Sequence, residues 1–246
     1  MTYCVGLRLN KGLVFMSDTR TNAGVDDIAT VKKMHSWNIE GERVITLMSA
    51  GNLATTQAVV SLLDERSKLP EDRNPSIFVA QTMFQVARLI GETLKEVIQA
   101  NSDTGQQAES GFNATLILGG QIGDMPPRLF LIYPEGNFIE AQNDTPFFQL
   151  GETKYGRPIL VRAQDPAMSF EDAVKLLLVS FDSTIKANLS VGLPIDMMTY
   201  ETDTLKVGVT KRFERDNEYF SHISGDWGQS LKTALKALPD FEFDAS

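Results

Sequence analysis

One cysteine, Cys4, is all the chain contains, so an internal disulfide framework is excluded and a reducing compartment is expected. No apolar run approaches the roughly 18 residues of a membrane span. The N-terminal stretch alternates apolar with polar residues and places Arg8 and Lys11 early, so it lacks a secretory apolar region. These absences lead to the expectation of a soluble, cytoplasmic protein. Basic residues are in deficit, 23 against 32 acidic ones for a net charge of −9, which argues against nucleic acid or anionic membranes as partners. Histidine is scarce as well. His35 and His222 have no ligand-like spacing, and no GxxxxGK[ST] or post-strand GxGxxG motif occurs. No metal or cofactor is therefore expected, and both histidines read as surface or half-buried residues.

What is present is ordinary in amount and specific in pattern. The 246 residues, 42% hydrophobic, suffice for a large core. No internal repeat or linker marks a boundary, so one domain over residues 1–246 is expected, with an acidic, mobile tail from Asp240 to Ser246. The start reads as a β-hairpin. Tyr3, Val5, Leu7 and Leu9 alternate with the smaller or more polar Thr2, Cys4, Gly6, Arg8 and Asn10. A three-residue turn, Asn10-Lys11-Gly12, would pair Leu9 with Leu13 and set Asp18 opposite Cys4 and Arg20 opposite Thr2. Asp18 would then lie diagonal to Thr2, about 7–8 Å away across the strands. A slip of one residue would reverse that geometry.

Strands are expected near Lys33–Asn38 and Arg43–Met48, then a helix from Asn52 to Lys68. A longer helix is expected from Asn74-Pro75 to about Ala100, with Met83, Val86, Ala87, Ile90, Leu94, Val97 and Ile98 as its core stripe. Further strands are read at Phe112–Leu118, Arg128–Tyr133 and Phe138–Ala141, with turns at Gly119-Gly120 and Glu135-Gly136. A short helix falls around Lys154–Arg162. Ser169-Phe170-Glu171-Asp172 is a capping box for a helix to about Ala187. Strands near Met197–Glu201 and Leu205–Val209 and a helix around Gln229–Ala237 complete the chain. Runs of strands alternating with pairs of helices indicate an α+β fold, with two sheets packed together and helices outside.

The chemistry centres on Thr2. Once Met1 is removed, Thr2 carries a free α-amine and a β-hydroxyl, a nucleophile and its own base. The amine's reference pKa of about 7.7–8.0 leaves a useful neutral fraction. A nearby lysine would favour the ionised hydroxyl and the neutral amine, and an aspartate would orient that lysine. Asp18 and Lys33 are the candidates, although an aspartate ending a strand is often a turn residue and Lys32-Lys33 could equally be a solvated strand edge. Cys4 would share a face with Thr2, but a small buried hydrophobe is the better reading of it.

Thr2, the strand into Ser17-Asp18-Thr19-Arg20, the Ala23-Gly24 turn, Thr30-Val31-Lys32-Lys33-Met34 and the small-residue stretch Ser49-Ala50-Gly51 resemble, in order, the start of a proteasome β-type subunit. Thr2-Tyr3-Cys4-Val5-Gly6, Asp18 through Gly24 and Leu150 through Gly156 resemble most the bacterial branch called Anbu, the ancestral β subunit. The resemblance implies a four-layer αββα sandwich of the N-terminal-nucleophile hydrolase type. It implies Thr2 as nucleophile, Asp18 and Lys33 in the family's aspartate and lysine roles, and Gly51 as the backbone N–H donor to an oxyanion. It also implies a self-compartmentalising homo-oligomer, a ring or an open lock-washer spiral, acting on peptides. No unfoldase partner is named by any motif in the sequence.

The surroundings of Thr2 depart from the family pattern. The family's Ser-Gly pair is matched here by Gly151-Glu152-Thr153. If Ser190 is the family's serine, the aspartate three residues before it is replaced by Ala187, with Asn188 beside it. Glu152 could bring a carboxylate to the site or serve a helix N-terminus. Arg20 could pair with Asp18 or hold the turn. These changes leave open an amidase or isopeptidase of the same fold, or an assembly protein with weak or no activity.

Overall fold

The first hairpin closes through two residues, not three. Tyr3–Leu9 (β1) pairs antiparallel with Gly12–Asp18 (β2), Leu9 opposite Gly12 and Cys4 opposite Ser17. Gly12 belongs to the strand because Glu201 pairs with it from the other side, so only Asn10 and Lys11 are left to turn. The one-residue slip moves Asp18 out of the register expected for it. The computed structural model describes residues 2–22, 28–68, 76–102 and 109–242. Met1, the Ala23-Gly24 turn, the Asn74-Pro75 pair and the end of the tail lie outside the described residues.

Two short strands, Arg20–Asn22 (β3) and Ile28–Thr30 (β4), pair with each other. Met34–Ile39 (β5) and Arg43–Gly51 (β6) follow, then the helices Leu53–Lys68 (α1) and Met83–Ser102 (α2). Helix α2 starts at Met83, later than Asn74-Pro75 suggested. The Gln85 N–H donates to Thr82 Oγ1, and the Gln85 side chain accepts from the Gln81 N–H, so the true cap is Thr82. Ala114–Ile122 (β7) runs through Gly119-Gly120, which sequence alone reads as a turn. A Cβ on Gly119 would sit 2.6 Å from the Phe15 ring, so that glycine admits an aromatic from the facing sheet. The chain continues with Arg128–Ile132 (β8), Phe138–Glu140 (β9), Phe147–Gly151 (β10), Arg157–Ala163 (α3) and Phe170–Ala187 (α4). Ser169 caps α4 by accepting from the Asp172 N–H, as its sequence predicts.

Ile195–Glu201 (β11) and Thr210–Phe213 (β12) end the sheets, and Glu218–Lys236 (α5) ends the described elements. The last strand lies beyond Leu205–Val209, because Asp203 and Leu205 adopt positive φ and break the extended run. The last helix begins eleven residues before Gln229, where Asn217 accepts from the Phe220 N–H.

One sheet has the order β10-β1-β2-β11-β12 and the other β5-β6-β7-β8-β9. Cys4, Leu13 and Phe15 of the first meet Val44, Met48 and Ile117 of the second in a core between the sheets. The outer face of the second sheet packs on α1 and α2 through Ile45, Leu47, Val59, Ile90 and Leu94. The outer face of the first packs on α3 and α4 through Tyr3, Val5, Leu160, Leu177 and Phe181. These are the four layers of an αββα sandwich. Each large side chain so buried contributes about 1.5–3 kcal/mol; two of these cores bind the sheets to their helices and the third binds the sheets to each other. Helix α5 differs. Only Phe220 is buried along it, and its Leu231 and Leu235 are 50% and 70% exposed.

Candidate active site

Thr2 precedes β1, the strand between β10 and β2 in its sheet. Its carbonyl accepts from the Glu152 N–H at 2.8 Å. Gly151, opposite Tyr3, holds φ at +76°, and a Cβ there would fall 1.9 Å from the Thr2 carbonyl oxygen. No side chain fits that approach, so β10 grips the Thr2 backbone only because residue 151 is glycine.

The next residue carries a second anchor. Tyr3 is fully buried, its hydroxyl shared with Ser180 Oγ at 2.7 Å and accepting from Gln149 Nε2 at 2.8 Å. Burial pushes that hydroxyl up to about 12, so it stays protonated. Its ring packs on Phe181 at 4.5 Å. Sequence reasoning read Tyr3 only as one apolar position in an alternating strand; its polar partners lie about 150 to 180 residues away, beyond any local signal.

Asp18 and Lys33 meet. Asp18 Oδ1 accepts from the Tyr3 N–H at 2.9 Å and from Lys33 Nζ at 2.7 Å, and Lys33 Nζ also donates to the Arg20 carbonyl at 2.6 Å. Asp18 is fully buried and the Lys33 side chain is 7% exposed. Burial pushes the Asp18 carboxyl above its ordinary range, while the Lys33 ammonium and then the Tyr3 N–H pull it back. Asp18 Oδ2 has no hydrogen-bond partner among the described residues. The shifted hairpin register thus brings the aspartate to the site by another route: it binds the main chain of the residue after Thr2 and does not stand diagonally across from Thr2.

Lys33 is set in place from its own backbone, since its carbonyl accepts from the Ser49 N–H at 3.0 Å. That bond ties the β4–β5 connection to the end of β6, where Gly51 holds φ at +121°. A Cβ on Gly51 would meet the Asn113 carbonyl at 2.4 Å. Asn52 then caps α1 through its Oδ1 and the Thr55 N–H. Thr2, Lys33, Ser49 and Gly51 all line one cavity of about 380 Å³. His35 lines it too, although its sequence context suggested no role.

The remaining candidates sit outside that cavity. Arg20 presents its carbonyl to Lys33, and its side chain lies beside Gly192. Glu152 gives its backbone to Thr2, while its carboxylate accepts from the Lys154 N–H at 3.2 Å and Asn188 Nδ2 at 3.0 Å. It does not serve a helix N-terminus: α3 begins at Arg157 and has no acidic residue in its first turn. Ser190 donates its N–H to Asn188 Oδ1 at 2.9 Å, so Ser190, Asn188 and Glu152 form one chain ending on the Thr2 carbonyl. Ala187 is exposed at the end of α4. Cys4 is fully buried, and burial followed by the Asp18 charge drives its thiol well above its ordinary value. It is a small core residue, not a reactive thiol.

Two helix-covered sheets, with a threonine at the start of an inner strand of one and a lysine–aspartate pair beside it, have the architecture of the proteasome-type N-terminal-nucleophile fold. The proteasome subunit family matches residues 2–199, and the chain belongs to that family. Its structure is similar to Anbu, the ancestral β-subunit, from Yersinia bercovieri, at 46% identity and a TM-score of 0.91, covering 98% of this chain and all of the other. It is likewise similar to the Gly-1 mutant of Anbu from Hyphomicrobium sp. strain MC1, at 50% identity and a TM-score of 0.93, covering 99% and 100%. Anbu from Pseudomonas aeruginosa, solved as a helical assembly, is 43% identical with a TM-score of 0.90 and 98% of each chain covered. None of the curated proteins compared matches.

Proposed function

We propose that the chain is an N-terminal threonine hydrolase that cleaves peptide bonds, with Thr2 as nucleophile after removal of Met1. The observation that carries this reading is the buried Lys33 ammonium, held by Asp18 and the Arg20 carbonyl on the wall of the cavity that Thr2 also lines. A buried ion pair at that place is a costly arrangement for a fold to keep without chemical use. In this reading Thr2 Oγ attacks the substrate carbonyl and passes its proton to the Thr2 α-amine. The Lys33 charge favours the oxyanionic form of the hydroxyl and keeps the amine neutral. The Gly51 N–H stabilises the tetrahedral oxyanion, a contribution of about 10²–10³ in rate. Collapse of the intermediate expels the leaving amine with the proton and leaves an ester on Thr2. Water, deprotonated by the same α-amine, then releases the acid. The Glu152–Asn188–Ser190 chain acts as a brace, fixing the carbonyl of the residue whose hydroxyl must attack.

The working form in this reading is a homo-oligomer, and an open spiral is favoured over a closed ring. The helical assembly of the Pseudomonas aeruginosa relative supports this. So do the exposed Leu231 and Leu235 on α5, which a second copy of the chain would cover.

Intact-mass measurement of cellular protein, followed by labelling with a threonine-directed epoxyketone, tests the assignment. Trimmed protein and labelling that disappears in Thr2→Ala are expected. Quantitative retention of Met1, or labelling that persists in Thr2→Ala, would sink it. A peptide library run beside small amides then separates a peptidase from an amidase.

A further inference from the structure

We infer that the cavity beside Thr2 selects substrates whose side chain next to the attacked carbonyl carries a carboxylate, with Lys32 as the recognising group. This rests on the reading of Thr2 as nucleophile, because that reading defines which carbonyl is attacked. The chain has 32 acidic residues against 23 basic ones, yet among the described residues no aspartate or glutamate lines this cavity, while Lys32, Lys33 and His35 do. Lys33 is committed to the Asp18 carboxylate and the Arg20 carbonyl, so its charge is largely offset. Lys32 is exposed and borders this cavity together with a second one, whose Asp196 is already paired with Arg212.

His35 sits half-buried between Lys32 on the incoming chain and Asp64 on α1. Burial first, then the Lys32 charge, hold its ring below the ordinary histidine value, against an opposing pull from the Lys32 backbone and Asp64. The imidazole is therefore neutral at neutral pH, and with its single ring N–H drawn to the Lys32 backbone it adds surface to the wall without adding a charge. Asp64 does not line the cavity; its Oδ1 accepts from Trp37 Nε1 at 2.6 Å. The rest of the wall suits the stem of such a side chain. Val31, Ala50, Leu53 and Val60 supply apolar contact for methylenes, and a volume of about 380 Å³ admits a glutamyl side chain with room to spare. A lysine or arginine side chain would meet a like charge there.

Two measurements test this on the full-length trimmed chain. Peptidyl coumarylamides that differ only in the last residue, Glu, Gln, Leu or Lys, are compared by kcat/KM on the wild type. Free peptides with the same four residues are titrated onto Thr2→Ala by calorimetry. Glu is expected to exceed Gln by about fivefold in both, the scale of one part-exposed ion pair. Lys32→Ala should bring Glu and Gln to parity, and Lys32→Glu should shift preference to Lys. Parity of Glu and Gln in the wild type, preference for Leu or Lys there, or a Glu preference that survives in Lys32→Ala, overturns the inference. If no coumarylamide is cleaved while Thr2→Ala still prefers the Glu peptide in binding, the pocket assignment stands and the nucleophile reading falls.

Discussion

Lys33 and Asp18 are the residues whose removal should be felt twice, in chemistry and in stability. Replacing Lys33 with Met leaves a buried carboxylate without its cation, at a cost of about 3–5 kcal/mol. A urea midpoint that falls accordingly, with epoxyketone labelling lost, is the expected pair of results. Loss of labelling at unchanged stability would show that the ion pair contributes nothing to the fold. Tyr3→Phe removes one hydroxyl and leaves Gln149 Nε2 without the acceptor it has here. It should cost about 1–3 kcal/mol, and slower labelling of Thr2 at saturating folded protein would identify Tyr3 as a positioning residue. His35 gives a pH signature. Its folded value lies below its unfolded value of about 6.5, so between the two the unfolded chain binds more protons and stability rises with pH. Its contribution is present above the unfolded value and is lost as pH falls through the folded one. The wild type should therefore lose stability relative to His35→Gln on acidification from about pH 8 to pH 5; parallel urea midpoints across that range would refute it.

At the scale of elements, Gly151 decides how β10 meets Thr2. Gly151→Ala places a methyl against the Thr2 carbonyl at a positive φ, so β10 must draw back. A destabilisation of about 1–3 kcal/mol together with slower Thr2 labelling is expected, whereas wild-type labelling would show that the strand's hold is dispensable. The same element scale shows what is readable in a linear chain. Alternation placed β1 and β2, and the Ser169 box placed α4, because each depends on residues a few positions apart. The hairpin register did not follow from its own residues, since Glu201 on a distant strand draws Gly12 into the sheet. Gly119-Gly120 reads as a turn until Phe15 of the opposite sheet is set against it. Of the site, Thr2, Asp18 and Lys33 were candidates on their own chemistry, which resemblance to family motifs reinforced, and Gly51 was named from that resemblance. Tyr3, Gln149 and Ser180 were missed, and so was His35 as a wall of the cavity, because only the folded sandwich makes them neighbours.

For the whole molecule, α5 sets the prediction. Beyond Phe220 none of its described residues is buried, yet it carries Leu231 and Leu235 at helical spacing. Leu231→Glu with Leu235→Glu should leave the protomer folded by circular dichroism and shift light-scattering mass to a smaller species. An unchanged mass would place the self-contact elsewhere. The anchors around Thr2 also bear on how the protein matures. The Glu152 bond to the Thr2 carbonyl, the Asp18 bond to the Tyr3 N–H and the Tyr3 hydroxyl contacts all engage atoms on the carboxyl side of the Thr2 nitrogen. Excision of Met1 breaks none of them, so trimmed and untrimmed chains should melt together. If Thr2 is the nucleophile we propose, processing is uncoupled from folding: an aminopeptidase acting at any stage would switch on a base without disturbing the scaffold that holds it.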